Sequence, residues 1–260
     1  MRYSSNLNII LKSIEKAVNR MSRDFVELEN LQNNPASALK FATSCYNKIA
    51  EIIIDDLQKF RGDFDITIID SINNKKINYH KDNKISEYSY LVLPIDGFYN
   101  LMRANPNFTV AVALQHCNQE GSEPETIALA INNLVGNDIY YCEKGFGAFA
   151  NNRRIRVSKK NGEGLAISSS NPDSFSDFVQ NYQIKKPYFY GINCPTLEMA
   201  YLSSAKLDIG LFSKNDYFIA KSFALLAKEA GGKIIRSEEF EAKNINKNKV
   251  SLIITNNSSI

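Results

Sequence analysis

The amino-acid sequence predicts an α/β fold, a layered sandwich built in two halves. Segments with helical periodicity come first, β-forming runs separated by polar turns follow, and the last part alternates strand and helix. This change of pattern is typical of sheets layered with helices. We place the division near residues 158–162. Residues 1–160 then form an α+β half with two long helices and an antiparallel sheet, and residues 161–260 form a smaller α/β half.

The bulk composition is that of a globular chain. Its 260 residues are 44% hydrophobic, enough to bury a large core. No apolar run approaches the roughly 20 residues that cross a bilayer, and the amino terminus lacks the apolar stretch of a secretory signal, so we expect a cytoplasmic protein. The net charge of +3 comes from interspersed signs, so the sequence gives no sign of nucleic-acid binding. The 4 cysteines include no Cys-x-x-Cys pair, which favours reduced thiols.

Two amphipathic helices are predicted before any strand. Apolar residues recur every three to four positions between Leu7 and Leu28, which predicts one long helix. Pro35 suits the first turn of a second helix, whose apolar face runs from Leu39 to Leu57.

Runs rich in β-branched and aromatic residues predict the strands. In the first half these runs are 66–69, 90–93, 108–114, 139–142, 146–150 and 153–157. Asn151 and Asn152 fit a two-residue hairpin turn, because Asn tolerates positive φ. In the second half, strands are predicted at 165–169, 207–212 and 250–255, and helices at 196–205 and 218–230.

Four motifs follow one another along the chain. They are Leu-Pro-Ile-Asp-Gly-Phe-Tyr-Asn at 93–100, Gly-Phe-Gly-Ala at 145–148, Leu-Glu-Met-Ala-Tyr at 197–201 and Glu-Ala-Gly-Gly at 229–232. Each alone is an ordinary turn, hairpin, helix or helix end. In this order and spacing they resemble the inositol monophosphatase family, including its bacterial extragenic-suppressor-type members. The resemblance implies a layered α-β-α-β-α sandwich of the inositol monophosphatase and sugar phosphatase type, usually homodimeric and Mg²⁺-dependent.

The resemblance also implies a metal site, and most of its positions carry other residue types here. The family holds two or three Mg²⁺ ions mainly with carboxylates. The replaced family positions are Tyr46, Ser71, Leu93, Phe98 and Ile219. The vestigial metal-ligand candidates are Asp70, Asp96, the backbone carbonyl of Ile95, and Asp216, which lies three residues before the matched downstream position.

Part of the family's phosphate site is compatible with the sequence. In the family a glycine turn opens a helix whose N–H groups face the phosphate. Gly97 and Phe98 are the candidate phosphate-binding residues here, because anion binding at a helix end does not depend on side chains. The alternative is a purely structural turn. The family's inositol-pocket segment matches residues 193–196, whose bulkier side chains suit a different ligand or none.

Two functions follow from these residues. The first is a pseudo-phosphatase to which we assign no catalytic residue and no cofactor, kept for binding or assembly. It would be a homodimer with a protein partner that the sequence does not identify. The alternative is a weak or altered Mg²⁺-dependent phosphomonoesterase that acts on inositol phosphate or a similar small ester through Asp70, Asp96 and Asp216. A product without any function is the third alternative.

Overall fold

The chain folds as two compact units, Met1–Ile139 and Tyr140–Ile260. The structure, a computed structural model, describes residues 4–19, 21–73, 75–79, 86–117, 123–236 and 250–256. Both units combine strands with helices, which confirms the mixed α/β fold. The division near residue 160 stays a prediction, since it marks a change of pattern along the sequence and not the limit of a compact unit.

The helices described in the first unit are α1 (Ser5–Val18), α2 (Met21–Asn30), α3 (Pro35–Phe60) and the short α4 (Phe98–Met102). The Ser4 hydroxyl caps α1 by accepting a hydrogen bond from the Leu7 N–H at 3.1 Å. Pro35 opens α3 as predicted, behind the capping side chain of Asn34.

The single helix predicted over residues 7–28 is wrong. α1 ends at Val18 and α2 begins at Met21. Both of these side chains are buried and they lie three positions apart, so the apolar period continues across the break and does not reveal it. Asn19, a poor helix former, caps the end of α1.

The strands of the first unit lie in the order β2-β1-β3-β4-β5. They are β1 (Asp65–Asp70), β2 (Lys75–Tyr79), β3 (Tyr88–Asp96), β4 (Thr109–His116) and β5 (Glu125–Asn133). β1 and β3 pair in parallel and the other pairs are antiparallel, so the sheet is mixed and not antiparallel as predicted. The parallel pair arises because β2 folds back on one edge of β1 and leaves the other edge to β3. α1 and α3 pack on this sheet.

An antiparallel meander opens the second unit, and its first strand begins two residues before Tyr140. β6 (Asp138–Glu143) pairs with β7 (Gly147–Ala150), and β7 pairs with β8 (Arg153–Arg154). Asn151 and Asn152 have φ values of 47° and 65°, which confirms the predicted turn.

A five-stranded sheet in the order β10-β9-β11-β13-β12 completes the second unit. Its strands are β9 (Ala166–Ser169), β10 (Tyr188–Tyr190), β11 (Ile209–Phe212), β12 (Lys233–Arg236) and β13 (Leu252–Thr255). The helices are α5 (Pro172–Asn181), α6 (Pro195–Ser203), α7 (Tyr217–Phe223) and α8 (Leu225–Glu229). The helix predicted over residues 218–230 is therefore two helices, which meet at Ala224. Side chains of α5 and of this sheet, among them Phe178, Ile167 and Ile209, form a buried cluster.

Across the part of the chain that the structure describes, no helix has the length and apolarity needed to span a membrane.

Candidate metal and phosphate site

Asp70, the last residue of β1, is hydrogen-bonded to residues of the turn that follows it. Its carboxylate accepts hydrogen bonds from the N–H of Ile72 at 2.9 Å, from the N–H of Asn73 at 3.2 Å and from the side-chain amide of Asn73 at 2.8 Å. A carboxylate that holds three donors in this way stabilises a turn. The sequence marks Asp70 as a metal candidate, whereas its contacts are those of a turn cap.

Ser71 and Ile95 meet because the parallel pairing of β1 with β3 brings the carboxyl ends of both strands to one edge. The Ser71 hydroxyl donates a hydrogen bond to the Ile95 carbonyl at 2.7 Å. By the resemblance, both positions would contribute oxygen to the same metal site. Here a hydrogen bond joins them directly, and the carbonyl already has a donor.

Leu93 and Asp96 lie on β3, on either side of an irregularity in its pairing with β4. Leu93, where the family has a bridging aspartate, is 1% exposed and offers only hydrocarbon. Asp96 is 4% exposed, and one of its carboxylate oxygens accepts a hydrogen bond from the Gly97 N–H at 3.1 Å. A buried carboxylate therefore remains at position 96, but the residue at the family's metal-bridging position, Leu93, is apolar.

Tyr46 and Phe98 replace two further polar positions with an aromatic pair. Their rings meet edge to face, with the centroids 6.3 Å apart and an interplanar angle of 87°. The Tyr46 hydroxyl donates to the Ile69 carbonyl at 3.3 Å. Burial, and to a lesser extent the nearby Asp70 and Tyr79, raises the pKa of the Tyr46 hydroxyl well above its ordinary value. Tyr46 is therefore a neutral donor and not an anionic ligand.

Gly97 turns the chain from β3 into α4. Its φ of 75° lies in the left-handed region, which suits glycine. α4 has only 5 residues, and the Asn100 side chain fixes its position by donating to the Asn107 carbonyl at 2.7 Å. Phosphate binding by Gly97 and Phe98 stays a prediction.

The downstream candidates, Asp216 and Ile219, belong to the second unit. One carboxylate oxygen of Asp216 accepts hydrogen bonds from the hydroxyls of Ser170 at 2.8 Å and Ser213 at 2.7 Å. Ile219 is half-buried on α7 and supplies no ligand atom from its side chain. Whether Asp216 binds a metal stays a prediction, and its known contacts are to hydroxyl groups.

The segment that matches the family's inositol pocket begins α6. Asn193 has a φ of 54°, the left-handed conformation, and this accounts for the glycine that the family has there. Cys194, Pro195 and Thr196 are buried, and the Cys194 sulfur lies 3.8 Å from the Thr196 hydroxyl. These side chains pack inside the unit.

Two of the four motifs form one structural unit. The Glu229 carboxylate accepts a hydrogen bond from the Gly145 N–H at 2.8 Å and another from the Gly147 N–H at 2.7 Å. Both glycines have positive φ, and a Cβ on Gly147 would lie 2.9 Å from the Arg154 guanidinium. The glycine hairpin and the helix end therefore belong together for reasons of folding.

Sequence reasoning missed the partners that engage the two outer aspartates. Asn73 lies three residues after Asp70, and Ser213 three residues before Asp216, spacings that allow local caps. No sequence signal pointed to Ser170, which reaches Asp216 from a distant part of the chain.

The donor set at the matched positions does not fit Mg²⁺. Mg²⁺ requires near-octahedral oxygen coordination, and catalytic two-metal sites bring two ions to about 4 Å. Leucine, isoleucine and phenylalanine supply no oxygen from their side chains, and Ser71 and Asp70 are hydrogen-bonded within the protein. Within the described ranges, no three His, Cys, Asp or Glu side chains gather as metal ligands.

Comparison with known proteins finds similarity over nearly the whole chain. The model of the inositol monophosphatase family matches residues 5–257. An inositol-1-monophosphatase of Rhizobium meliloti is 25% identical over 243 residues, which cover 89% of this chain and 85% of that protein. A putative Nus factor SuhB of Neisseria meningitidis serogroup B is 25% identical over 236 residues, which cover 87% and 85%.

Among solved structures, the extragenic suppressor protein suhB from Bartonella henselae has the same fold. It superposes with a TM-score of 0.74 at 23% identity, over 98% of this chain and 95% of that one. The staphylococcal IMPase-II superposes with a TM-score of 0.72 at 14% identity, over 98% and 90%.

Proposed function

We propose that this chain, which belongs to the inositol monophosphatase family, keeps the family's fold for binding or assembly and has lost phosphate-ester hydrolysis. The observation that carries the proposal is the hydrogen bond of 2.7 Å from the Ser71 hydroxyl to the Ile95 carbonyl, close along β3 to the buried Leu93. In a metal-dependent phosphatase of this family these two positions would bind the same cation. In this chain they are hydrogen-bonded to each other instead.

The loss of the bridge is decisive for rate. A bridging carboxylate holds two ions together, and metal activation supplies several kcal/mol of the barrier, at about 1.4 kcal/mol per tenfold in rate. Leu93 puts hydrocarbon where that bridge belongs, and the Tyr46–Phe98 pair adds aromatic surface. The matched bridge position near the retained Asp96 carries a leucine and not a carboxylate.

The motifs that persist support the same conclusion. Glu229 holds the Gly145–Gly147 hairpin through two hydrogen bonds, and Gly97 supplies a left-handed turn. These are requirements of the fold. The positions that the resemblance connects with metal chemistry, among them Ser71, Leu93 and Ile219, carry other residue types.

We further propose a protein partner, because several relatives are named Nus factors. A homodimer is proposed from the family resemblance. Light scattering at micromolar concentration checks it, with twice the chain mass of 29.3 kDa expected. The cytoplasmic location stays a prediction.

A weak phosphomonoesterase is the second candidate. Asp70 and Asp96 lie at the carboxyl ends of two paired strands, next to the Gly97 turn, and this arrangement favours it. It would use Mg²⁺ with fewer carboxylates than the family pattern.

Phosphate release from inositol 1-phosphate at millimolar Mg²⁺ distinguishes the two candidates. We expect no release above that of a heat-denatured sample. Turnover of about one per second, within the ordinary enzyme range, and its loss in Asp96→Asn would refute the proposal and establish the phosphatase.

A further inference from the structure

A cavity in the first unit lies between the turn after α2, the start of α3 and the end of α4. Its volume is about 310 Å³, and small-molecule sites span roughly 300–1,000 Å³. The residues that line it include Gln32, Pro35, Ala36, Leu39, Met102 and Arg103. Most of this lining is apolar, as in sites for small organic molecules. The cavity therefore has the size and the lining of a site for a small, largely apolar molecule.

Hydrogen bonds to the backbone fix the walls of this cavity. The side-chain amide of Gln32 donates to the Leu28 carbonyl of α2 at 3.0 Å and to the Met102 carbonyl of α4 at 3.2 Å. The Asn34 side chain caps the first turn of α3 by accepting from the Ser37 N–H at 3.2 Å. Because these contacts form without a ligand, binding requires little further ordering of the walls.

Arg103 supplies the charge at this cavity. Among the described residues that line it, Arg103 is the one with a charged side chain. Its backbone N–H caps α4, whereas its exposed guanidinium has no hydrogen-bond or ion-pair partner within the described ranges. A guanidinium pairs with a carboxylate through two parallel hydrogen bonds. The lining thus favours an anion with one carboxylate and an apolar body, since a phosphate group would require more donors than one guanidinium.

The volume limits the length of the apolar body. At roughly 30 Å³ for each water-sized group, the cavity holds about ten non-hydrogen atoms. An unbranched fatty acid of about eight carbons has that size.

We propose that this cavity binds a medium-chain fatty acid, with its carboxylate on Arg103 and its chain against Leu39 and Met102. The chain would cover Leu39, a large apolar side chain that is 44% exposed. The sequence does not reveal the cavity, because folding alone brings residues 32–39 together with residues 102–103. This inference does not depend on the loss of catalysis.

Methyl NMR of the full chain, labelled on its methionine methyl groups, tests the proposal with octanoate as the probe. The chain has 4 methionines, and Met102→Leu identifies the Met102 signal by removing it. We expect octanoate to shift this signal with half-saturation at about 0.1–1 mM, an affinity that ligand efficiency allows for about ten non-hydrogen atoms. The signals of the buried Met21 and Met199 should stay in place.

Two further probes separate the contribution of charge from that of chain length. Octan-1-ol has the same chain without the carboxylate and should bind at least about fivefold more weakly. Butyrate keeps the carboxylate but is shorter by about four methylene groups, and it should bind at least about tenfold more weakly, since each buried methylene contributes about fourfold.

Three variants complete the test. Arg103→Gln should weaken octanoate binding at least about fivefold and leave octan-1-ol binding unchanged, because it removes only the charge-assisted hydrogen bonds. Ala36→Leu places a larger side chain in the cavity wall, at an exposed position, and should abolish the binding of both probes. The matched control, Arg153→Gln, removes an exposed arginine of β8 and should change neither affinity.

Four results overturn the proposal. They are the absence of a saturable Met102 shift up to about 10 mM octanoate, equal affinity for octanoate and octan-1-ol, unchanged octanoate affinity in Arg103→Gln, and a halved mass of Ala36→Leu in light scattering. The last result would make the cavity part of an interface between copies of this chain.

Discussion

The side chain of Ser71 is shorter than the acidic side chain that the family has at this position. This difference in length determines which group the side chain can contact. A glutamate there would reach a shared cation, whereas the serine hydroxyl reaches the Ile95 carbonyl at 2.7 Å and satisfies it. Asp70 is the same kind of case, because its three local hydrogen bonds make it a turn cap. Single residues thus take structural tasks at positions that the resemblance connects with metal.

Removing the Ser71 hydroxyl tests its structural task. Ser71→Ala leaves the Ile95 carbonyl without this donor and should lower the free energy of unfolding by about 1–2 kcal/mol. Urea unfolding measures it. The matched control is Ser176→Ala, because Ser176 is exposed and donates only within its own helix, and we expect a change below about 0.5 kcal/mol there. Equal effects in the two variants would contradict the assignment.

Elements depend on contacts that lie far apart in the sequence, and Glu229 is the best example. Its carboxylate accepts hydrogen bonds from two N–H groups of a hairpin more than 80 residues earlier, at 2.8 and 2.7 Å. Glu229→Ala leaves both donors without this acceptor and should cost about 2 kcal/mol of unfolding free energy. Thermal unfolding measures it. Glu163→Ala, which removes only an exposed ion pair with Lys186, should cost less than about 1 kcal/mol. A larger loss in Glu163→Ala would overturn the prediction.

The buried thiol of Cys45, on α3, should make the free energy of unfolding depend on pH in the alkaline range. Burial, followed by the nearby Asp24, raises the pKa of the Cys45 thiol from 9.0 to about 12. The folded state therefore holds this proton more tightly than the unfolded state. The stabilisation is complete below about pH 9 and is lost as the pH rises towards about 12.

Replacing the thiol isolates its contribution to that pH dependence. Urea unfolding between about pH 9 and 11 should show a shallower fall in Cys45→Ala than in the wild type, by up to about 1.4 kcal/mol per pH unit. Parallel curves would show that Cys45 ionises equally in both states.

Periodicity predicted several elements that have a regular apolar face, but it missed β5 and α5 as well as the exposed β2. α3 and β4 follow from their apolar residues, and the Asn151–Asn152 turn follows from its chemistry. β2 was missed because it is short, all five of its residues are exposed, and only Ile77 and Tyr79 among them are apolar. The break between α1 and α2 was missed because Val18 and Met21 keep the helical spacing.

At the scale of the whole molecule, the motifs predicted the family and the positions at which this chain departs from it. They did not predict what the substituted side chains contact, because Ser71–Ile95 and Tyr46–Phe98 are neighbours only after folding. The sequence pattern was enough to predict the fold, whereas the chemistry of the site depends on side-chain contacts that form only in the folded chain.

Calorimetric titration with Mg²⁺ examines whether the metal site is lost. We expect no saturable binding to the wild type at millimolar Mg²⁺, since Leu93 replaces the bridging carboxylate. The triple variant Ser71→Glu, Leu93→Asp, Phe98→Thr should gain measurable affinity, although Ile219 leaves the downstream position without a carboxylate. Saturable binding of Mg²⁺ to the wild type, abolished in Asp96→Asn, would show that the chain retains a metal site.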